Sequence, residues 1–288
     1  MRFKEDIQSG KFVVTAEVGP PKGTDLSEMI HRLEGLKGKV TALNVTDNQS
    51  AVMRVCTLAV AKIITDMGIE PIYQMTCRDR NRVGLQSDLL GASALGIKNV
   101  LAMTGDHPVL GDHKNAKPVF DIESVQLLEI INGLNAGHDM AGLELKGKTE
   151  FFAGAVVAPE ANPFEPQFAK FEKKIKAGAK FFQTQAVFDM AKFMKFMERA
   201  KEYNVPIMAG ILLLKSAGMA RYLNQFVAGV SVPQELIDEL ASADKPLQKG
   251  IEIAGRQIAE LKEVCAGVHV MAIGVEDKVP EILAAAGL

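Results

Sequence analysis

Two rhythms of apolar and polar positions alternate along this chain. Short runs rich in β-branched and aromatic residues recur eight times, and between them lie longer stretches whose apolar positions fall three or four residues apart. The first short run, Phe12 to Val18, is closed by Gly19-Pro20-Pro21. Asp25 then caps a helix whose Met29, Ile30, Leu33 and Leu36 fall at helical spacing. The second unit reads as a strand from Thr41 to Thr46, a D-N-Q-S loop, and a helix from Ala51 to Met67 with Val52, Val55, Ala59 and Ile63 on one face. Pro71 to Thr76 and Asn99 to Thr104 open the third and fourth units. After a long loop around Gly111 to Pro118, a helix from about Ile122 to Leu134 precedes a strand from Phe151 to Val157. Phe181 to Gln185, Ile207 to Leu213 and Val268 to Ile273 supply the remaining strands. Helices are predicted near Gln167 to Ala177, Met190 to Glu202, Ala217 to Phe226, Pro233 to Leu240, Ile251 to Val264 and Lys278 to Ala286.

Eight strands alternating with helices over 288 residues favour an α/β fold of the (β/α)8 TIM barrel type, one domain spanning 1–288. No G-x-G-x-x-G or G-x-x-x-x-G-K-[ST] follows any strand, so the phosphate-cradling signatures of doubly wound nucleotide folds are missing. An apolar content of 48% suffices for one extended core, and no Pro/Gly/Ser-rich linker divides it. The formal charge of -2 offers no basic field for nucleic acid, which leaves a small-molecule partner as the expectation. Cys56, Cys77 and Cys265 form no C-x-x-C pair and read as reduced thiols in a cytoplasmic protein. The N-terminus lacks an apolar core of signal-peptide length, and no run is long enough for membrane insertion.

In such a barrel the chemistry gathers at the carboxyl ends of the strands. Those ends read Glu17, Thr46-Asp47-Asn48, Gln74 and Thr76, Thr104-Gly105-Asp106, Glu160 and Asn162, Gln183 and Gln185, and Lys215. Glu17 is the informative one. In an apolar strand with neighbours Val14, Ala16 and Val18, an inward-facing carboxyl is desolvated, and desolvation favours the neutral form that a general acid needs. Turned outward or paired, it would be structural. Asp106 follows the apolar run Val100 to Met103 and places a fixed negative charge beside Gly105, where the missing side chain lets a flat ring approach the backbone. Gln183 and Gln185 alternate with Thr184 and point the same way, offering donors and acceptors suited to a ring with amide and amidine edges, or equally to hydrogen bonds within the core. Lys215 supplies a different chemistry, a nucleophilic amine for a Schiff-base lyase or aldolase.

An ordered set of motifs resembles one known family. A-E-V-G-P-P near the N-terminus, L-N-V-T in strand two, M-T-C-R-D in strand three, L-A-M-T-G-D in strand four, P-E-A-N-P after strand five, K-K-I-K-A-G-A-K-F-F-Q-T-Q-A-V-F-D through strand six and A-G-I-L in strand seven are similar to the methylenetetrahydrofolate reductases, in order and over roughly Phe12 to Ile273. The resemblance implies a flavin-bearing barrel that reduces 5,10-methylenetetrahydrofolate to 5-methyltetrahydrofolate. By position it assigns Glu17 as general acid, Asp106 as the aspartate beside the flavin, and Gln185, with Gln183, to the folate pterin. It also assigns Thr46, Gln74, Thr76, Thr104, Gly105, Asn162, Lys173 and Lys174 to flavin-contacting positions, with no metal.

Several positions depart from the familiar bacterial pattern. Gln74 stands for a His, Thr104 for an Arg, Ala158 for an aromatic and Asn162 for a His. These changes fall on contacts to the outer part of FAD, so the cofactor is FAD or FMN. They also bear on the electron donor. The V-T-D-N-Q-S loop resembles the branch from anaerobes that works beside a partner subunit carrying iron–sulfur centres. A third reading is a folate- or flavin-binding subunit without catalysis, and an oligomer is compatible with each.

Overall fold

A computed structural model describes residues 2–227 and 230–288. The elements run in chain order as α1 (Arg2–Gln8), β1 (Val13–Val18), α2 (Ser27–Glu34), β2 (Ala42–Val45), α3 (Thr57–Asp66), β3 (Pro71–Thr76), α4 (Arg82–Ala94), β4 (Asn99–Met103) and α5 (Ser124–Ala136). They continue as β5 (Phe152–Val157), α6 (Phe164–Lys176), β6 (Phe181–Ala186), α7 (Met190–Ala200), β7 (Ile207–Leu212), α8 (Ala217–Phe226), α9 (Gln234–Ala241), α10 (Pro246–Leu261), β8 (Gly267–Met271) and α11 (Val279–Ala285). The eight strands close in sequence order into a barrel, and β1 pairs in parallel with both β2 and β8. Among the described residues no helix is long and apolar enough to cross a membrane.

Side chains alternate across each strand, so every strand sends one row outward against the helices and one row into the barrel. On β1 the outward row is Val14, Ala16 and Val18, which join the large core shared with the helices. Val13 opens the inward row and belongs to a separate cluster inside the barrel with Ala42, Ile72, Leu101, Phe152, Phe181 and Met208. One step higher the inward positions turn polar. Thr15, Asn44, Gln74, Gln183 and His269 are all buried there. The barrel thus has an apolar floor and a polar upper layer, and the polar layer faces the strand ends where ligands bind.

Helix α1 closes the floor. Its Phe3 is fully buried and meets Phe181 edge-on at 5.1 Å and Phe152 at 6.0 Å. Gly154 makes the cluster possible, because a Cβ there would run into the ring of Phe181. Glu70 receives the N–H groups of Arg2 and Phe3 at 2.6 and 3.1 Å, which satisfies donors that a helix start leaves open. The hydrophobic pattern does not announce this helix. Phe3 and Ile7 are two apolar positions in a charged segment, too few to show a period.

The predicted helix from Ala51 is corrected to start at Thr57. Residues before it are held by the loop itself: Val55 N–H donates to Pro21 O, and Arg54 N–H donates to the Asn48 side chain. Thr57 Oγ1 then donates to Thr46 O at 3.0 Å, pinning the helix start to the end of β2. The buried face is accordingly Val60, Ala61 and Ile64 rather than Val52, Val55, Ala59 and Ile63.

Removing the plug has a predictable cost. Phe3→Ala is expected to destabilise the protein by about 3–5 kcal/mol, the usual range for emptying a packed aromatic site. Equilibrium denaturation measures it, and a loss below about 1 kcal/mol would mean that α1 is not part of the packed interior.

Candidate active site

Glu17 sits on the inward row of β1, two positions above Thr15, and is 9% exposed. One donor reaches it, and a ring nitrogen stands near. Gln49 Nε2 donates to Oε1 at 2.9 Å, and His269 Nε2 faces Oε2 at 3.6 Å. Gln49 comes from the loop after β2, where Asn48, Ser50 and Ala51 all take left-handed backbone angles, with φ of 46°, 57° and 57°. Such angles cost non-glycine residues about 1–3 kcal/mol each and persist only where the surroundings impose them. Here the surroundings are tight. Gly111, in the loop after β4, lies so close to the Ala51 carbonyl that any side chain would collide with it.

The same loop is held from below by Arg78, a 2% exposed arginine just past β3. Its guanidinium donates to the carbonyls of Asp47 and Asn48 at 3.2 and 3.1 Å and to the Asp79 carboxylate at 2.9 and 2.8 Å. A longer contact, 3.5 Å, reaches the Asp106 carbonyl. One buried cation therefore staples the ends of β2, β3 and β4 to one another. Asp47 completes the arrangement: its carboxylate accepts Thr76 N–H at 2.8 Å, Thr76 Oγ1 at 2.9 Å and Thr57 Oγ1 at 3.2 Å, and it pairs with Arg80.

The residues singled out from the sequence fall into distinct places. Thr46 is buried at the end of β2, and its Oγ1 has no hydrogen-bond partner among the described residues. Gly105 has φ +91°, and a Cβ there would lie 3.0 Å from Thr76 Cβ, so its lack of a side chain serves both the turn and the contact with β3. Asp106 is exposed at the rim beside it. Thr104 is partly buried, and its hydroxyl is engaged with Ser124 at 3.2 Å, at the first residue of α5. Gln74 is buried on the inward row of β3, and Thr76 spends its hydroxyl on Asp47.

On β6 the two glutamines separate. Gln185 is exposed at the mouth, whereas Gln183 is 1% exposed and bonded within the barrel to Asn44 and Thr15. Asn162 is exposed, next to a cis peptide bond with Pro163. Glu160 is buried and accepts the N–H groups of Phe188 and Asp189 at 2.6 and 2.8 Å, and burial raises its pKa. Lys173 is exposed, but Lys174 is buried and donates to Val156 O at 2.6 Å. Burial pushes the Lys174 ammonium down to about 8. Lys215 donates to Ile273 O at the rim, at 3.0 Å.

Glu17 opens onto a cavity of about 280 Å³ between β1, the loop carrying Gln49, α2 and the segment after β8, with Arg54, Met29, Arg32 and Ile273 in its wall. The sequence reading overlooked His269, Gln49, Asn44 and Arg78. A signal existed for two of them. His269 alternates with Gly267 and Met271 in β8, so it shares their inward row, and Arg78 lies inside the M-T-C-R-D motif.

A (β/α)8 barrel with a carboxyl seated at the head of its first strand and a polar mouth around it is the class of protein that fold and site define. The chain belongs to the methylenetetrahydrofolate reductase family, whose model matches residues 2–287. It is 24% identical to methylenetetrahydrofolate reductase 2 of Schizosaccharomyces pombe over 99% of this chain and 47% of that one. It is 28% identical to the 5,10-methylenetetrahydrofolate reductase of Pectobacterium carotovorum over 70% of this chain and 64% of that one. The chain thus spans about half to two thirds of the length of these two relatives. Among solved structures, an uncharacterized protein from Clostridium thermocellum described as binding two copies of 5-methyl-5,6,7,8-tetrahydrofolic acid superimposes with a TM-score of 0.66 at 16% identity, covering 98% of this chain and 97% of that one. That likeness is one of fold.

The buried lysine gives a test by pH. Lys174 titrates near 8 when folded against an ordinary value of 10.5, so below pH 8 the protein carries the full cost of burying the charge. Between the two values the unfolded chain binds more protons than the folded one, and stability rises with pH. Lys174→Met is expected to flatten that rise in denaturation measured from pH 7.5 to 10.5. A slope equal to that of the unmodified protein would show that the ammonium is solvated.

Proposed function

We propose that this chain reduces 5,10-methylenetetrahydrofolate to 5-methyltetrahydrofolate with a flavin as cofactor. Membership of the family gives the reaction class, and the observation that carries the reading to residues is Glu17, an inward carboxyl at the strand end where a barrel binds its substrate. The methylene bridge must break from N10 before C11 can accept hydride, and the departing nitrogen needs a proton. Glu17 supplies it. Gln185, exposed at the mouth, suits the amide and amidine edge of the pterin, and Gln183 shapes the layer beneath. Asp106 lies at the rim, where a carboxylate stabilises the 5-iminium cation left by ring opening.

The residues present fit a flavin. Among the described residues Thr46 Oγ1 is a buried polar atom without a partner, a condition that a ring with amide edges relieves. Thr46, Gln74, Thr76, Thr104, Gly105, Asp106, Asn162, Lys173 and Lys174 are the residues proposed to hold it. When bound, a reduced flavin supplies the hydride. Gln74, Thr104 and Asn162 offer weaker contacts to an outer nucleotide than the residues they replace, which keeps FMN and FAD as two forms of one proposal.

The electron donor in this reading is a partner subunit with iron–sulfur centres rather than a nicotinamide nucleotide, supported by the V-T-D-N-Q-S loop and the lack of a nucleotide fingerprint in the sequence. NADH and NADPH are then expected to bleach the flavin of the isolated chain slowly in stopped-flow mixing. Rapid stoichiometric bleaching by either would overturn the choice of donor. Lys215 spends its amine on Ile273 O, and a Schiff-base chemistry gains no support from that contact.

Glu17→Gln keeps the shape of the side chain and removes the proton. With the flavin photoreduced under anaerobic conditions and mixed with methylenetetrahydrofolate, the variant is expected to reoxidise about 10²–10⁴ times more slowly, the usual worth of a positioned general acid. Reoxidation at the unmodified rate would make Glu17 a structural carboxylate.

A further inference from the structure

We infer that His269 is a positioning residue for Glu17: its Nε2–H is aimed at the Glu17 carboxyl by a directed chain of buried hydrogen bonds, and it receives the carboxylate as the proton leaves. This inference rests on the acid role given to Glu17 above.

The direction of the chain follows from counting donors. Asn44 and Gln183 form a reciprocal amide pair, Asn44 Nδ2 donating to Gln183 Oε1 at 2.7 Å and Gln183 Nε2 donating to Asn44 Oδ1 at 3.1 Å. Gln183 Nε2 also donates to Thr15 Oγ1 at 3.2 Å and lies 4.0 Å from Met208 Sδ. The Nε2 group has two hydrogens, and Asn44 Oδ1 and Thr15 Oγ1 take both of them. Thr15 therefore accepts from Gln183 and has its single hydrogen left to give. The group in reach is His269 Nδ1, 3.0 Å away. A ring nitrogen that accepts carries no proton, which places the imidazole proton on Nε2. Nε2 faces Glu17 Oε2 at 3.6 Å, an electrostatic contact longer than a hydrogen bond.

Glu17 thereby has the Gln49 amide bonded at Oε1 and the His269 ring N–H facing Oε2. In the acid step the C11–N10 bond breaks with its electron pair going to N10, the proton passes from Glu17 to N10, and the carboxylate left behind accepts both N–H groups. Nothing is oxidised or reduced in that step. Donors fixed in advance around a charge that forms late act on the transition state more than on the ground state. All members of the chain are buried: Thr15 and Asn44 are fully so, Gln183 is 1% and His269 4% exposed, so bulk water does not replace a missing link.

Two measurements test this, one of them independent of folate. In ¹⁵N-labelled protein, long-range ¹H–¹⁵N correlations should show the Nε2–H tautomer of His269, and Thr15→Val should weaken that preference. An Nδ1–H tautomer in the unmodified protein would overturn the inference whatever the enzyme's substrate. For the second, His269→Leu is expected to slow reoxidation of the photoreduced flavin by methylenetetrahydrofolate about 10- to 100-fold, the size of one hydrogen bond to a charged group, with folate affinity unchanged. His269→Gln, which keeps an N–H in reach, should recover most of that loss, whereas a merely structural role would not distinguish the two variants once both are shown to fold. Equal rates for His269→Leu and the unmodified protein would contradict the inference. Failure of the unmodified protein to react with the folate would count against the proposed function and leave the tautomer result to judge His269.

Discussion

A carboxyl group taken out of water at the head of a packed barrel must be met by hydrogen-bond donors, because each polar atom buried without a partner costs more than most single contacts return. Glu17 is in that position, and much of the upper barrel is arranged around it. Gln49 and His269 supply the donors, Thr15 orients His269, and the Asn44–Gln183 pair orients Thr15. The chain of bonds crosses the barrel from β2 and β6 through β1 to β8. It can exist only because the layer below it is apolar and closed, with Phe3 of α1 packed on Phe152 and Phe181.

The second set of constraints concerns the rim. Gln49 reaches Glu17 from a loop whose backbone is left-handed at three non-glycine residues, and such a loop must be clamped. Arg78 clamps it from the end of β3, Asp47 ties it to Thr76 and to the first residue of α3, and Gly111 seals it from the loop that follows Asp106. The residues at the heads of β1, β2, β3 and β4 are consequently coupled. A change at Arg78 or Gly111 acts on the position of Gln49, and through it on Glu17, without touching the mouth.

The strands are legible as short β-rich runs set between stretches of helical period, and the ordered motifs carry the family. Glu17, Thr46 and Gln74 are legible as polar residues at the carboxyl ends of those apolar runs. Other features were written in contacts between segments distant in the chain. His269 is 252 positions after Glu17, a histidine in a short valine-rich run that reads as a core residue until β8 is seen to close against β1. The start of α3 lies later than the pattern predicts because Val52 and Val55 look helical, whereas hydrogen bonds to Pro21, Asn48 and Asp112 hold that stretch out of the helix. Gln183 and Gln185 do not follow the plain alternation expected of a strand, because the pairing of β6 with β7 slips between Gln183 and Ala186, leaving Gln183 in the closed layer and Gln185 exposed.

The central claim is that Glu17 protonates N10 of the substrate from a seat of fixed donors. A crystal structure of the protein with 5-methyltetrahydrofolate bound tests it most directly. N10 is expected within hydrogen-bond distance of the Glu17 carboxyl, with the pterin edge on Gln185 and the Gln49 and His269 contacts to Glu17 kept. A folate bound at the mouth with N10 turned away from Glu17, and no water bridging the two, would contradict it.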